Sequence, residues 1–424
     1  MKIVHISHLY HPSLGGVQFF FQNISERLVK DYKDEVTVVT TNSYFGPDNK
    51  IFKKIEPAEE VINGVKVIRF PYQRWHLKPY SFIFKMLGKL RIKWPESMVL
   101  KSNGPYSNNM KDYLMKVQAD AFCASSTNYY YMQLPLWRKC NFFYYGCIHL
   151  NEDERKTHLY PTQIASINAS TLYLANTLYE KERLEKLGVK KNKIFVLGTG
   201  VDMEPFTSAN MNEVQLFKKE LGIPAKALLT GYVGRIERTK NVMLLIKTFE
   251  KIAAKYSDQF LLIAGSASGY VEELQSYCNS LPAHINNRIK WQINFSFEQK
   301  SIIFNSIDIL VLPSQNESFG LVFLEAWSCK KPVIGVSIGA IRSVINDGVD
   351  GLLIEIDNEE SLTKKLTQLI TDEDLRNSMG ANGFAKVEEK YTWDKIVARL
   401  RQCYVDAGLS KNQIGKSVNV LENV

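Results

Sequence analysis

No apolar run in the chain approaches the ~18 residues that would cross a bilayer, which argues against an integral membrane protein. Cysteine is scarce and scattered, at positions 123, 140, 147, 278, 329 and 403, with no C-x-x-C and no histidine at ligand spacing. A disulfide framework is excluded and a structural zinc has no ligand set, so a reducing compartment, the cytoplasm, is expected. The first predicted strand is not followed by G-x-G-x-x-G, so a dinucleotide-dependent oxidoreductase lacks its fingerprint. Short internal repeats and low-complexity tracts are also missing. The only literal Asp-x-Asp, Asp372-Glu373-Asp374, falls where a surface helix should begin. It reads as N-terminal helix charge, so no metal site is expected. The opening Met1–Ser7 alternates and contains His5, which fits a first strand and not a signal peptide.

What is present is an ordinary globular composition, 45% hydrophobic and 23% charged. At 424 residues the chain exceeds the roughly 250–300 that one core supports, so two domains are expected. The net charge of +9 is unevenly placed. Residues 1–200 hold 28 basic against 17 acidic side chains, and residues 66–116 alone hold 11 against 2. Aromatics interleave with these bases. From Pro79 the pattern suits a basic amphipathic helix, with Lys85, Lys89, Arg91 and Lys93 near headgroups and Phe82, Phe84, Leu87, Leu90 and Trp94 as anchors. An anionic membrane surface fits this face, as does an acceptor; a merely solvated face is the plain alternative. Nucleic acid is the poorer partner, because no binding module accompanies the charge.

Periodicity alternates strand and helix in both halves. Lys2–Ser7, Val36–Thr40, Ala121–Ser125, Phe142–Ile148 and Thr171–Ala175 read as strands of the first half, with a helix Val17–Asp31 after a Gly15-Gly16 turn. In the second half the strands are Leu228–Gly234, Phe260–Ala264, Ile289–Gln292, Ile309–Leu312 and Pro332–Val336, with helices over Asn241–Tyr256 and Phe319–Cys329 among others. Their near-continuous apolar character is that of buried parallel strands. The fold class is therefore α/β, two doubly wound domains facing across a cleft.

Two stretches break rules that stability alone would enforce. Arg235, Arg238 and Lys240 crowd the start of a predicted helix, where carboxylates are favoured; an anion between them would resolve the conflict. In Pro313–Ala326, Gly320 occupies what should be the first helical turn, which frees the amides of 320–322 for phosphate oxygens. Glu325 lies in an apolar helix among Leu321, Val322, Phe323 and Leu324 and needs hydroxyl or cationic partners. A salt bridge to Lys330 or Lys331 would satisfy it plainly, as a capping box with Ser314 would satisfy Glu317.

The chain resembles the retaining GT-B glycosyltransferases of glycosyltransferase family 4. The residues that carry the likeness are Gly15-Gly16, His149, Gly200-Val-Asp202, Gly234-Arg235 with Lys240, and the Glu317-x7-Glu325 pair around Ser-Phe-Gly-Leu. Lys331-Pro-Val, Gly339, Asp347-Gly348, Asp350-Gly351 and Trp393 add to it, so that matches run to about residue 405. The resemblance implies an acceptor-binding domain over 1–203, joined by a crossover helix at 391–408. It also implies a nucleotide-sugar domain over 204–390, which leaves 409–424 as a tail. It implies that Arg235 and Lys240 hold the donor diphosphate, that Glu325 holds the ribose, and that Glu317 with the backbone of Phe319, Gly320, Leu321 and Val322 holds the sugar. Gly15 and Gly16 would close over the phosphates, His149 would attend the anomeric centre, and Ile293 would meet the base through its backbone.

The expected activity is transfer of a hexose-type sugar, with retention and without metal or other cofactor. The donor would be a UDP-sugar first and GDP-mannose second. The acceptor would be a carbohydrate or glycolipid in bacterial surface glycan assembly, reached from the cytoplasm or the inner membrane face. A soluble peptide or small-molecule acceptor, and a non-catalytic sugar-nucleotide-binding subunit, are the competing readings.

Overall fold

The computed structural model describes residues 1–13, 15–45, 52–72, 96, 100–101, 104–125, 130–146 and 159–408. They divide into two compact units, one containing the described residues up to Thr199 together with Trp393–Gly408, the other containing Gly200–Thr392. Two-domain α/β architecture is thus present, each unit built on its own sheet.

In the first unit the strands are β1 (Lys2–Ile6), β2 (Glu35–Thr41), β3 (Ser43–Phe45), β4 (Phe52–Lys54), β5 (Glu59–Ile62), β6 (Val65–Phe70), β7 (Ala121–Ser125), β8 (Phe142–Tyr145), β9 (Leu172–Ala175) and β10 (Ile194–Val196). Eight of them form one sheet in the order β10-β9-β8-β7-β1-β2-β6-β5, parallel except for the edge strand β5, while β3 and β4 pair apart. The β5–β6 hairpin was not expected. It turns at Asn63-Gly64, both at positive φ (48° and 84°), the backbone that a two-residue hairpin loop demands. This places part of the basic stretch inside the fold: the Arg69 side chain is fully buried, paired with Glu60 and donating to the His11 carbonyl at 3.0 Å. Arg69 therefore does not contribute to a surface charge.

The helix Trp393–Gly408 belongs to this unit. Trp393, Ile396, Val397, Leu400 and Tyr404 recur at helical spacing and share a core with Phe20, Phe21, Ile24 and Leu28 of the helix Gly16–Tyr32. Polar contacts fix the docking. Arg401 donates twice to buried Asp34, at 2.8 and 3.2 Å. His5 Nδ1 lies 2.7 Å from Ser25 Oγ, and its Nε2 lies 3.3 Å from the Tyr404 hydroxyl. Burial pushes the His5 imidazole pKa down to about 3, so the ring is neutral near pH 7.

The second unit holds β11 (Leu228–Val233), β12 (Gln259–Gly265), β13 (Ile289–Ile293), β14 (Ile309–Leu312), β15 (Val333–Val336) and β16 (Gly351–Ile354). All are parallel, in the order β13-β12-β11-β14-β15-β16. Chain order reverses between β11 and β14, so their carboxyl ends open the crevice where doubly wound sheets take ligands. Backbones meet closely there: a Cβ on Gly265 would lie 1.7 Å from the Gly234 carbonyl oxygen, so only glycine fits. Among the described residues, no helix is long and apolar enough to cross a membrane.

Candidate functional site

The loop after β11 is fixed from below. The Tyr232 hydroxyl donates to the Arg235 carbonyl at 2.6 Å, and its burial raises its pKa, so it remains a donor. Arg235 points outward, largely exposed, with Glu237 at 2.8 Å. Arg238, one of the three clustered cations, is paired with Glu273 and lies over the Tyr270 ring at 4.7 Å. The segment Arg238–Lys240 is a 3-10 turn, Asn241 follows at φ 52°, and the helix spans Val242–Lys255, one residue shorter at each end than its periodicity predicts. The cations thus precede the helix instead of occupying its first turn.

Lys240 reaches across to the loop after β14. Its Nζ lies 2.6 Å from Glu317 Oε1, and both side chains are mostly buried. Ser314 Oγ donates to the same oxygen at 2.9 Å, and the Gln315 amide bonds to the Thr239 carbonyl at 3.0 Å. The two loops are held together by these contacts. Ser314 caps no helix, because the helix begins only at Leu321 and ends at Ser328. Gly320 is its N-cap at φ 89°, ψ 59°, a left-handed conformation, and does not lie in the first turn as the spacing suggests. A Cβ there would stand 2.6 Å from the Phe323 ring. The Leu321 and Val322 amides, first in the helix, have no intrahelical acceptor, whereas the Phe323 amide bonds to Gly320 at 2.9 Å. The Phe319 ring turns away, buried edge-on to Tyr391 at 5.6 Å between centroids.

Glu325 lies one turn into this helix, 8% exposed. Its partner is neither Lys330 nor Lys331. Oε1 is bound by Lys300, from the helix Gln299–Ser306 that follows β13, and Oε2 is buried with no hydrogen-bond partner. Lys330 stands beyond the helix end at φ 56°, its Nζ 5.0 Å from the Phe384 ring centroid. Ile293 is the last residue of β13, paired with Gly265 and half-buried. Asn294 follows it in a left-handed conformation, at φ 56°.

The model of the family Glycosyl transferases group 1 matches residues 213–386. That matched stretch lies within the second unit. A D-inositol 3-phosphate glycosyltransferase of Corynebacterium urealyticum is 30% identical over 218 residues, 50% of this chain and 51% of the relative. The chain spans about half the length of the curated relatives it matches. Sucrose-phosphate synthase from Thermosynechococcus elongatus superposes with a TM-score of 0.71 at 18% identity, over 95% of this chain and 98% of that one. HepE of Anabaena, solved with UDP-glucose, gives 0.66 at 16% identity, over 95% and 98%. These likenesses show the fold, two-domain GT-B.

Of the remaining expected residues, Gly15 and Gly16 open the helix after β1 in the first unit. The Gly15 carbonyl accepts from Phe19 at 2.9 Å, and the space a Gly16 Cβ would fill is open. His149 lies outside the described residues, as do Lys85, Lys89, Arg91 and Lys93. Among the described residues, no three His, Cys, Asp or Glu side chains are grouped to hold a metal ion. Lys300 was missed by sequence reasoning. It sits 25 positions from Glu325 in another element, and no local spacing announces it.

Proposed function

We propose that this protein is a retaining glycosyltransferase that moves a hexose from a nucleoside-diphosphate sugar to an acceptor hydroxyl, a UDP-sugar being favoured and GDP-mannose second. The observation that carries the reading is the bare Oε2 of Glu325, a buried carboxylate oxygen at the carboxyl end of a doubly wound sheet. Vicinal hydroxyls of a ribose would satisfy it. The match to glycosyl transferases group 1 over residues 213–386 supports the same reading, as does the UDP-glucose in HepE.

In this reading Lys240, Arg235 and the free amides of the Leu321–Ser328 helix receive the charge that develops on the leaving diphosphate. No metal is then required for that task. Arg235 exchanges its exposed contact with Glu237 for the phosphates, which costs little because exposed pairs are weak. Glu317, held by Lys240 and Ser314, has its second oxygen for the sugar hydroxyls and acts as a grip, not a nucleophile. The acceptor hydroxyl attacks the face the diphosphate leaves and passes its proton to that diphosphate, with His149 steadying the anomeric centre. The acceptor is a carbohydrate or glycolipid of bacterial surface assembly recognised by the first unit, and the basic segment holds the enzyme at the inner membrane face.

The test is release of nucleoside diphosphate from a panel of UDP-, GDP- and ADP-sugars, with and without saccharide and glycolipid acceptors. Acceptor-dependent release with an α-anomeric product from an α-donor is expected. Acceptor-independent consumption, or none from any donor, overturns the reading. Arg235→Ala at near wild-type turnover would remove its diphosphate role.

A further inference from the structure

Helix Gln299–Ser306 is firmly seated: Ile303 and Phe304 are fully buried, and the Asn305 side-chain amide donates to the Phe206 carbonyl at 2.9 Å. Its first turn is tied by the Ser296 amide to Gln299 Oε1 at 3.0 Å and the Lys300 amide to the Phe297 carbonyl at 3.1 Å. From this anchored turn Lys300 extends to Glu325, its Nζ also lying 6.0 Å from the ring centroid of Phe297, which is 67% exposed. Lys300 and Glu325 side chains are 24% and 11% exposed. Holding a carboxylate this buried beside Leu324 and Ala326 is unfavourable unless a cation offsets it. Lys300 does so on one oxygen only. Rotation of the carboxylate is thereby fixed, and the second oxygen is left buried without a donor.

We propose that Lys300 is a positioning residue for ribose recognition: by pinning Glu325 Oε1 it presents Oε2 to the sugar hydroxyls and sets the preference for ribonucleotides over deoxyribonucleotides. The inference rests on the assignment of Glu325 to the ribose. Lys300 touches no reacting atom in this account. It acts through Glu325, and its effect is confined to ligands that carry the hydroxyls.

Calorimetric titration of the full chain with UDP, GDP and ADP and with their 2′,3′-dideoxy forms tests it. Wild type binds a ribonucleotide more tightly than its dideoxy form, and Glu325→Gln abolishes the difference. Lys300→Met weakens the ribonucleotide about tenfold, the factor one charge-assisted hydrogen bond carries, and leaves the dideoxy form unchanged. Lys300→Arg restores the preference. Should Glu325→Gln retain the preference, or no ribonucleotide bind wild type, the ribose assignment itself falls. If Glu325→Gln loses the preference while Lys300→Met keeps it, only the role of Lys300 is overturned. A lowered melting temperature with both ligand forms weakened equally would make Lys300 merely structural and would also overturn it.

Discussion

Lys240 and Glu317, 77 positions apart in sequence, meet at 2.6 Å and join the loops that follow β11 and β14. The contact sits at the point where strand order reverses, so one ion pair both closes the crevice floor and presents its charges to it. A pair used for both purposes should separate stability from turnover. Lys240→Met or Glu317→Gln alone leaves a mostly buried charged or polar partner uncompensated, at a cost of about 3 kcal/mol. The double variant should recover much of that stability. It should not recover turnover, which falls about two to three decades when the Lys240 charge is lost. Denaturant unfolding and steady-state rates on the three variants check both halves.

Gly320 is the position where local conformation and site geometry coincide. Gly320→Ala places a Cβ against the Phe323 ring at φ 89° and should lower stability by roughly 1–2 kcal/mol. Because relief would come from moving the start of the helix, the Leu321 and Val322 amides shift with it. The Michaelis constant for the donor should rise together with the loss of stability. Unchanged donor binding in a folded Gly320→Ala protein would show that these amides contribute nothing.

The sheet strands were legible because parallel strands buried on both faces leave near-continuous apolar runs, as in Ile309–Leu312 and Phe260–Ala264. The β5–β6 hairpin has its turn signal in Asn63-Gly64, but its strands are short and its bases, Lys66 and Arg69, interrupt the apolar run that marks the other strands. The bases of residues 66–116 divide: Arg69 is a buried pair, and the four at 85–93 lie outside the described residues. The polar site was legible in kind, since cations before a helix and a carboxylate within an apolar helix are costly without partners. Its pairing was not. Lys330 and Lys331 were natural candidates for Glu325 by proximity in sequence, but they lie past the helix end, where the chain has already turned. Contacts between elements such as Lys300–Glu325 follow from how two helices are brought together, which no periodicity encodes.

His5 gives a pH dependence with a defined sign. Its folded pKa is lowered by burial to about 3 from the ordinary 6.5, so folding favours the neutral ring. Stability from this group is fully present above pH 6.5 and is lost as pH falls from 6.5 toward 3, at up to about 1.4 kcal/mol per pH unit. Between pH 6.5 and 5 most carboxylates remain ionised, so that window reports the buried histidines, His5 together with His8, whose pKa burial lowers to about 4. The slope of unfolding free energy against pH should be smaller for His5→Gln than for wild type there. Equal slopes would mean that Ser25 and Tyr404 accommodate the charged ring without loss.

The sequence from Pro79 to Trp94 bears on where the proposed glycosyltransferase would work. In the sequence, Lys85, Lys89, Arg91 and Lys93 are interleaved with Phe82, Phe84, Leu87, Leu90 and Trp94, the pattern expected of an interfacial helix. Each base near an anionic bilayer contributes about 1 kcal/mol, so four give reversible attachment that salt weakens. A lipid-carried acceptor presented at that surface would be captured without a membrane span. In flotation with vesicles, recovery should require anionic lipid, decline between 50 and 500 mM salt on the order of tenfold, and fall sharply when the four bases become Ser. The same substitutions should spare turnover on a soluble saccharide acceptor while reducing it on a glycolipid in vesicles. Equal recovery with neutral and anionic vesicles, or none with either, would return the segment to a solvated face and leave the acceptor to be sought among soluble molecules.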